Sequence, residues 1–280
     1  MRILDLLDLH VHTTASDGMF SPAAVVEMAK EKNLYGIAIT DHDTVDGVKE
    51  AMARGKELGI QVVPGVEIST VAHGKDIHML GYFVDRTDEA FRLRLQEQRE
   101  ARQRRNELLL EKLNSLGISI TMEEVRAKKK DGKTNVGRPH FAEVLVEKGV
   151  VQSMNEAFDR YLGKDGAAYV ITPRIHPEEA IHVIREAGGV PVLAHPGLYG
   201  EDELVLHLAQ QGLAGIEVNH PDHDDEMRAR YREMARRFQL PTTGGSDFHG
   251  ERHGSMYHAP LGTCVTDRET VERLSVSPSE

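Results

Sequence analysis

Ile3 to Thr13 reads I-L-D-L-L-D-L-H-V-H-T. Leu9 and Val11 alternate with Asp8, His10 and His12, and a period of two is that of a β-strand, so His10 and His12 share one face. Two imidazoles at a strand end can chelate a divalent cation through neutral ring nitrogens. Alone, the pair reads equally well as two polar residues at a strand terminus. Further strand-like runs follow at Tyr35 to Thr40, Gln61 to Ser69, Ile77 to Val84, Val190 to Ala194, Gly215 to Asn219 and Pro241 to Gly245. Helix-like segments separate most of them, which predicts βα units around a parallel sheet or barrel; seven strands come close to a complete barrel. Ser21 before Pro22 marks one helix start, and Pro177 with Glu178 and Glu179 opens another that Gly188 and Gly189 close.

The alternation fails between about Phe91 and Val170. A charged helix is expected from about Asp88 to Leu116, and Thr121 with Glu124 and Ser153 with Glu156 each match a capping box. Residues 98–172 are therefore expected to form an inserted helical subdomain. Residues 1–97 and 173–270 form the barrel and residues 271–280 a tail, loose from Ser275 onward. Arg92, Arg94, Arg99, Arg102, Arg104 and Arg105 read as a solvated helix face.

The 280 residues carry 45 acidic against 34 basic side chains, a net charge of −11, which argues against a sequence-independent coat on long DNA or other nucleic acid. A 40% hydrophobic content supports a sizeable core. No apolar run approaches the roughly 18 to 20 residues that cross a bilayer. A lone Cys264 and the absence of a secretory leader lead us to expect a cytoplasmic setting.

The fifteen histidines are the unusual feature. Asp17 follows the first strand-like run, Asp41 and His42 follow Ile37 to Ile39, and Glu67 lies near the end of the third run. His78 begins the fourth run, His195 terminates Val190 to Ala194, and Asp247 with His249 repeats the spacing of His10 and His12 after the last run. In a βα barrel the C-terminal strand ends share one rim, so residues distant in sequence converge there. Such a gathering of imidazoles and carboxylates on one rim is not expected of satisfied surface groups placed by chance.

The segments D-L-H-V-H-T (Asp8 to Thr13), S-D-G (Ser16 to Gly18), T-D-H-D (Thr40 to Asp43), G-V-E-I (Gly65 to Ile68), H-P (His195, Pro196) and S-D-F-H (Ser246 to His249) resemble the ordered motifs of the polymerase and histidinol phosphatase (PHP) phosphoesterases. The resemblance spans both ends of the chain and implies a distorted seven-stranded βα, TIM-like barrel with two or three divalent metal ions. It implies that His10, His12 and Asp247 hold one ion, shared through Glu67 with a second held by His78 and His195, while Asp17, His42 and His249 hold a third. Some relatives have histidine in place of Asp17. A carboxylate oxygen favours harder cations, so manganese is expected ahead of zinc or iron. The expected chemistry is attack on a phosphate monoester by a metal-bridging hydroxide. His220 and His223 are candidates to orient or protonate the leaving group or are plain loop histidines, and Asp41 is a supporting carboxylate or a helix cap.

From Arg126 to Arg138 six basic side chains face a single acidic one, Asp131. T-N-V-G-R-P-H-F-A and Y-L-G-K (Tyr161 to Lys164) resemble the insert of the nucleotide-acting PHP subgroup. This implies Asn135, Arg138, His140 and Lys164 on the substrate side, with Arg138 suited to a bidentate grip on a second phosphate. The leading expectation is a phosphatase for 3′,5′-nucleotide bisphosphates. The alternatives are a 5′ to 3′ exonuclease on short RNA, a histidinol phosphatase, and a metal-stabilised interaction module without turnover.

Overall fold

The computed structural model describes residues 5–129, 136–252, 254–256 and 258–276. Strands β1 (Leu6–Val11), β2 (Gly36–Ile39), β3 (Gln61–Ala72), β4 (Lys75–Tyr82), β5 (Val190–Leu193), β6 (Gly215–Asn219) and β7 (Thr242–Gly244) lie side by side in chain order. Each coincides with one of the seven runs expected from the sequence. Strands β8 (Glu251–Arg252) and β9 (Ser255–Met256) form a separate hairpin, and β10 (Thr266–Asp267) adds to the outer side of β1. The sheet nearly closes on itself. Past β7, the N–H of His12 donates to the Phe248 carbonyl at 2.9 Å and the N–H of Phe248 donates to the His10 carbonyl at 3.3 Å. The closure needs glycine at 245, where a Cβ would fall 2.3 Å from that of His10.

The sheet is not all parallel. β3 and β4 form an antiparallel hairpin from Gly65 opposite Tyr82 to Ala72 opposite Lys75, and β4 is also antiparallel to β5. Its turn residues His73 and Gly74 both take positive φ, 50° and 70°. Because β4 is reversed, its beginning rather than its end reaches the rim, which puts His78 opposite Ser69 and two residues along from Glu67.

Helices α1 (Pro22–Glu31) and α2 (Val48–Leu58) follow β1 and β2. Ser21 caps α1 by accepting from the N–H of Ala24, with Pro22 in the first turn. Helix α3 (Glu89–Ser115) starts at Asp88, whose side chain accepts from the N–H of Phe91. It spans two cores. Phe91 and Leu95 pack with the barrel helices, whereas Leu109 and Leu113 join a separate cluster with Val125, Phe141, Leu145 and Leu162. That cluster is built by α4 (Met122–Arg126), α5 (Arg138–Glu147), α6 (Met154–Ala157) and a π-turn at Phe158–Leu162. Thr121 and Glu124 form the expected capping box, but the Glu156 carboxylate accepts from the N–H of Gln152 and not from that of Ser153. Helices α7 (Pro177–Glu186), α8 (Asp202–Gln210), α9 (Asp225–Arg237) and α10 (Arg268–Ser275) complete the chain.

Two expectations need correction. Residues 271–275 are no tail: α10 buries Val271 and Leu274 against the sheet, because apolar residues three apart share a helix face. Nor is the arginine-rich stretch uniformly solvated. Arg92, Arg94 and Arg104 are exposed, while Arg102 and Arg105 are only 5% and 2% exposed. Lys130, Asp131, Lys133 and Asn135 lie outside the described residues. No helix among the described residues is long and apolar enough to cross a membrane.

Candidate metal centre

The strand ends deliver their side chains to one point. The Nε2 atoms of His10 and His12 lie 3.5 and 3.2 Å from Glu67 Oε2 and 3.3 and 3.1 Å from Asp247 Oδ1. Glu67 faces two groups at once: Oε1 is 2.8 Å from His78 Nδ1 and 3.2 Å from His195 Nε2, while Oε2 is 2.9 Å from His42 Nδ1. Asp17 closes the third corner, with Oδ1 3.3 Å from His249 Nε2 and Oδ2 3.9 Å from His42 Nε2. All nine side chains proposed as ligands from the sequence are therefore neighbours.

Several of these atoms are buried without a hydrogen-bond partner, among them His10 Nε2, His12 Nε2, Asp17 Oδ1, Glu67 Oε2, His78 Nδ1 and Asp247 Oδ1. Buried polar atoms are almost always satisfied, so six orphans facing one another fit divalent cations between them. Backbone strain marks the same place: His195 has φ 25° and Asp247 φ 50°, a region that side chains other than glycine enter at a cost of about 1–3 kcal/mol. Burial opposes ionisation of Glu67, Asp17 and Asp247, yet the surrounding imidazoles hold all three well below the usual carboxylate range. His42 and His195 are pushed down to about 4, chiefly by burial, which keeps their imidazoles neutral as metal ligation requires.

Supporting residues fix the orientation of these side chains. Glu217 is fully buried on β6; it accepts from the N–H of His195 at 2.9 Å and its Oε1 lies 3.1 Å from His10 Nδ1, leaving His10 Nε2 to point inward. The sequence did signal it: a carboxylate inside the apolar run G-I-E-V-N. The Tyr199 hydroxyl lies 2.8 Å from His195 Nδ1 and accepts from the N–H of His78. Asp41 caps no helix. It accepts from the N–H and hydroxyl of both Thr13 and Ser16 and so pins the loop that carries Asp17. Asp8 accepts from the N–H groups of His10, Ser246 and Gly262 and from the Ser246 hydroxyl, tying β1 to the S-D-F-H segment.

Other candidates are placed differently. His220 Nε2 lies 3.4 Å from Asp247 Oδ2, while both nitrogens of His223 are engaged by backbone, one with the Val218 carbonyl and one with the N–H of Gly197. Neither lines the cavity above the rim. His258, unmarked in the sequence, does line it, with Nε2 3.2 Å from Asp247 Oδ2 and Nδ1 2.6 Å from Asp222. Arg138 lines the cavity and pairs with Asp76 at 2.7 Å. His140 does not. It is 1% exposed, its Nδ1 accepts from the N–H of Gly137, and burial pushes its pKa down to about 4. Lys164 is exposed and lines no part of the cavity.

Residues 8–187 match the PHP domain family. The chain belongs to the PHP family. It is similar to the 5′-3′ exoribonuclease Rnm of Escherichia coli (strain K12), at 37% identity over 252 residues that cover 87% of this chain and 85% of the relative. It is also similar to the 3′,5′-nucleoside bisphosphate phosphatase of Chromobacterium violaceum, at 32% identity covering 89% and 88%. Among solved structures, a chain from Bifidobacterium adolescentis assigned as a metal-dependent phosphoesterase superposes with a TM-score of 0.87 at 36% identity, covering 96% of this PHP chain and 94% of its own. This PHP protein is a metal-dependent phosphoester hydrolase.

Proposed function

We propose that this PHP enzyme hydrolyses phosphate monoesters of nucleotides, above all the 3′-phosphate of 3′,5′-nucleotide bisphosphates. The observation that carries the reading is the two-sided Glu67, set between two groups of imidazoles at the floor of a cavity whose far wall is lined by Arg102, Arg105 and Arg138. His10, His12 and Asp247 would hold one ion, Glu67 would share it with a second on His78 and His195, and Asp17, His42 and His249 would hold a third. The carboxylate of Asp17 favours manganese over softer ions. When bound, such ions supply Lewis acidity and an activated water. The protein's own part is to hold nine ligand side chains in register, with Glu217, Tyr199 and Asp41 fixing their orientation. Residues 98–172 would cap the site from the side of α3 and α5. The similarity to a phosphatase named for 3′,5′-nucleoside bisphosphates supports this substrate class.

A second reading, 5′ to 3′ trimming of short oligoribonucleotides with the same ligands, is favoured by a cavity on the other side of Arg102, lined by Arg99, Gln103, Asn106 and Arg126. Phosphate release from adenosine 3′,5′-bisphosphate by the manganese-loaded protein tests the leading reading. Rapid release is expected. Efficient hydrolysis of histidinol phosphate without any release from the bisphosphate would overturn it.

A further inference from the structure

Two histidines outside the nine proposed ligands converge on the Asp247 oxygen that the rim imidazoles leave aside. His10, His12 and His249 face Oδ1, whereas His220 and His258 bring their Nε2 atoms to 3.4 and 3.2 Å from Oδ2. The other ring nitrogen tells the two apart. His220 Nδ1 accepts from the N–H of Asp222 at 3.2 Å, so in the neutral ring the hydrogen sits on Nε2 and is donated to Asp247. His258 has the reverse arrangement. Its Nδ1 lies 2.6 Å from Asp222 Oδ2, and an ionised carboxylate only accepts, so Nδ1 carries the hydrogen. The neutral ring then turns the lone pair of Nε2 toward a second carboxylate oxygen, 3.2 Å away. Two such acceptors repel unless a cation or a proton stands between them.

Histidines already placed on the rim show the same pattern. His10 sets Nδ1 3.1 Å from Glu217 and turns Nε2 to Glu67 and Asp247, and His195 sets Nδ1 2.8 Å from the Tyr199 hydroxyl and Nε2 3.2 Å from Glu67. An oxygen partner on one ring nitrogen fixes the tautomer and leaves the other nitrogen for a metal. His258 lines the same cavity as Asp247 and His249, with its ring centroid 5.6 Å from that of His249. Its backbone takes φ 57°, in the positive region that His195 and Asp247 enter at 25° and 50°. A solvated loop histidine would require neither the strained backbone nor a carboxylate at each ring nitrogen.

We propose that His258 is a further metal ligand, giving Nε2 to the ion held by Asp247, and that Asp222 orients it for that role. The proposal rests on the ligand assignment given under the proposed function and deepens it. The test titrates the metal-free parent, His258→Ala and Asp222→Asn with manganese, reading the free ion by electron paramagnetic resonance. In His258→Ala one equivalent should bind more than about 100-fold more weakly, beyond the about 10–100-fold that loss of an outer partner costs. Asp222→Asn should weaken the same equivalent by about 10–100-fold, because it removes only the carboxylate behind the ligand. The other equivalents should change less, and the Tm of the metal-free variants should not fall. Unchanged affinity with lowered turnover in His258→Ala would make His258 a contact to substrate and overturn the ligand. Unchanged affinity with unchanged turnover overturns it too, as does an even weakening of every equivalent together with a lowered metal-free Tm. If His258→Ala fails to fold, unchanged manganese affinity in Asp222→Asn overturns it equally. A parent that binds no manganese removes the metal reading of the rim and this ligand with it. A parent that binds manganese through His258 but releases no phosphate from adenosine 3′,5′-bisphosphate would instead remove the proposed substrate and leave the ligand standing.

Discussion

The two walls of the cavity are built on different terms. The rim is made by strand ends: nine imidazole and carboxylate side chains, nearly all buried, whose orphaned atoms face one another. The opposite wall is made by Arg102 and Arg105 of α3 and Arg138 of α5, with Asp76 holding Arg138 in place. A rigid sheet can hold many ligands to fractions of an ångström, which a polynuclear site requires. Helices carrying long arginine stems from a second core can offer charge to a substrate group without altering the metal geometry. Single substitutions can test the two walls separately.

The largest effect should come from the rim. Asp247→Asn removes a carboxylate oxygen that lies within 3.5 Å of His10, His12 and His249. Activity is expected to fall by more than the about 10–100-fold that loss of an outer partner costs. Elemental analysis should show the metal content falling with it, and full turnover in this variant would break the ligand assignment.

The junction between the walls should give a narrower effect. A Cβ on Gly137, at the start of α5, would sit 2.3 Å from Asp17 Oδ2. Gly137→Ala should therefore displace Asp17 and lower the bound metal by about one equivalent, while the ions on the His10 and His78 sides remain. Unchanged stoichiometry would show that the insert can shift without touching the rim.

The smallest effect belongs to the insert. His140 titrates at about 4 in the folded chain against 6.5 when unfolded. The unfolded state takes up the proton first as pH falls, so the stability tied to neutral His140 is complete above about pH 6.5 and is lost toward pH 4. That amounts to about 2 kcal/mol between pH 7 and pH 5. His140→Gln, which keeps an acceptor for Gly137, should flatten this part of the Tm profile. An unaltered slope would place the acid sensitivity in the rim.

The rim is legible because most of its residues lie at or near the ends of apolar runs, and a run of four to eight such residues bounded by turn signals is a strand signal. Glu217 is legible on the same grounds, as a carboxylate inside the apolar run G-I-E-V-N. Tyr199 and His258 are not, since each sits in irregular backbone whose path only the fold sets. On the insert side, the 27 residues of α3 carry so many charges that no face stands out, and its burial of Arg102 and Arg105 depends on docking against Asp43 and the substrate cavity.

By itself the sequence determined the seven strands and the identities of the histidine and carboxylate residues gathered at one rim, because period and spacing are local properties. The tertiary structure decided which way β4 runs, and hence why His78 at its beginning meets Glu67 near the end of β3's rim segment. It also decided which arginines of α3 lose water and which of them find a carboxylate. Those outcomes depend on contacts between residues far apart in the chain, and no local pattern encodes them.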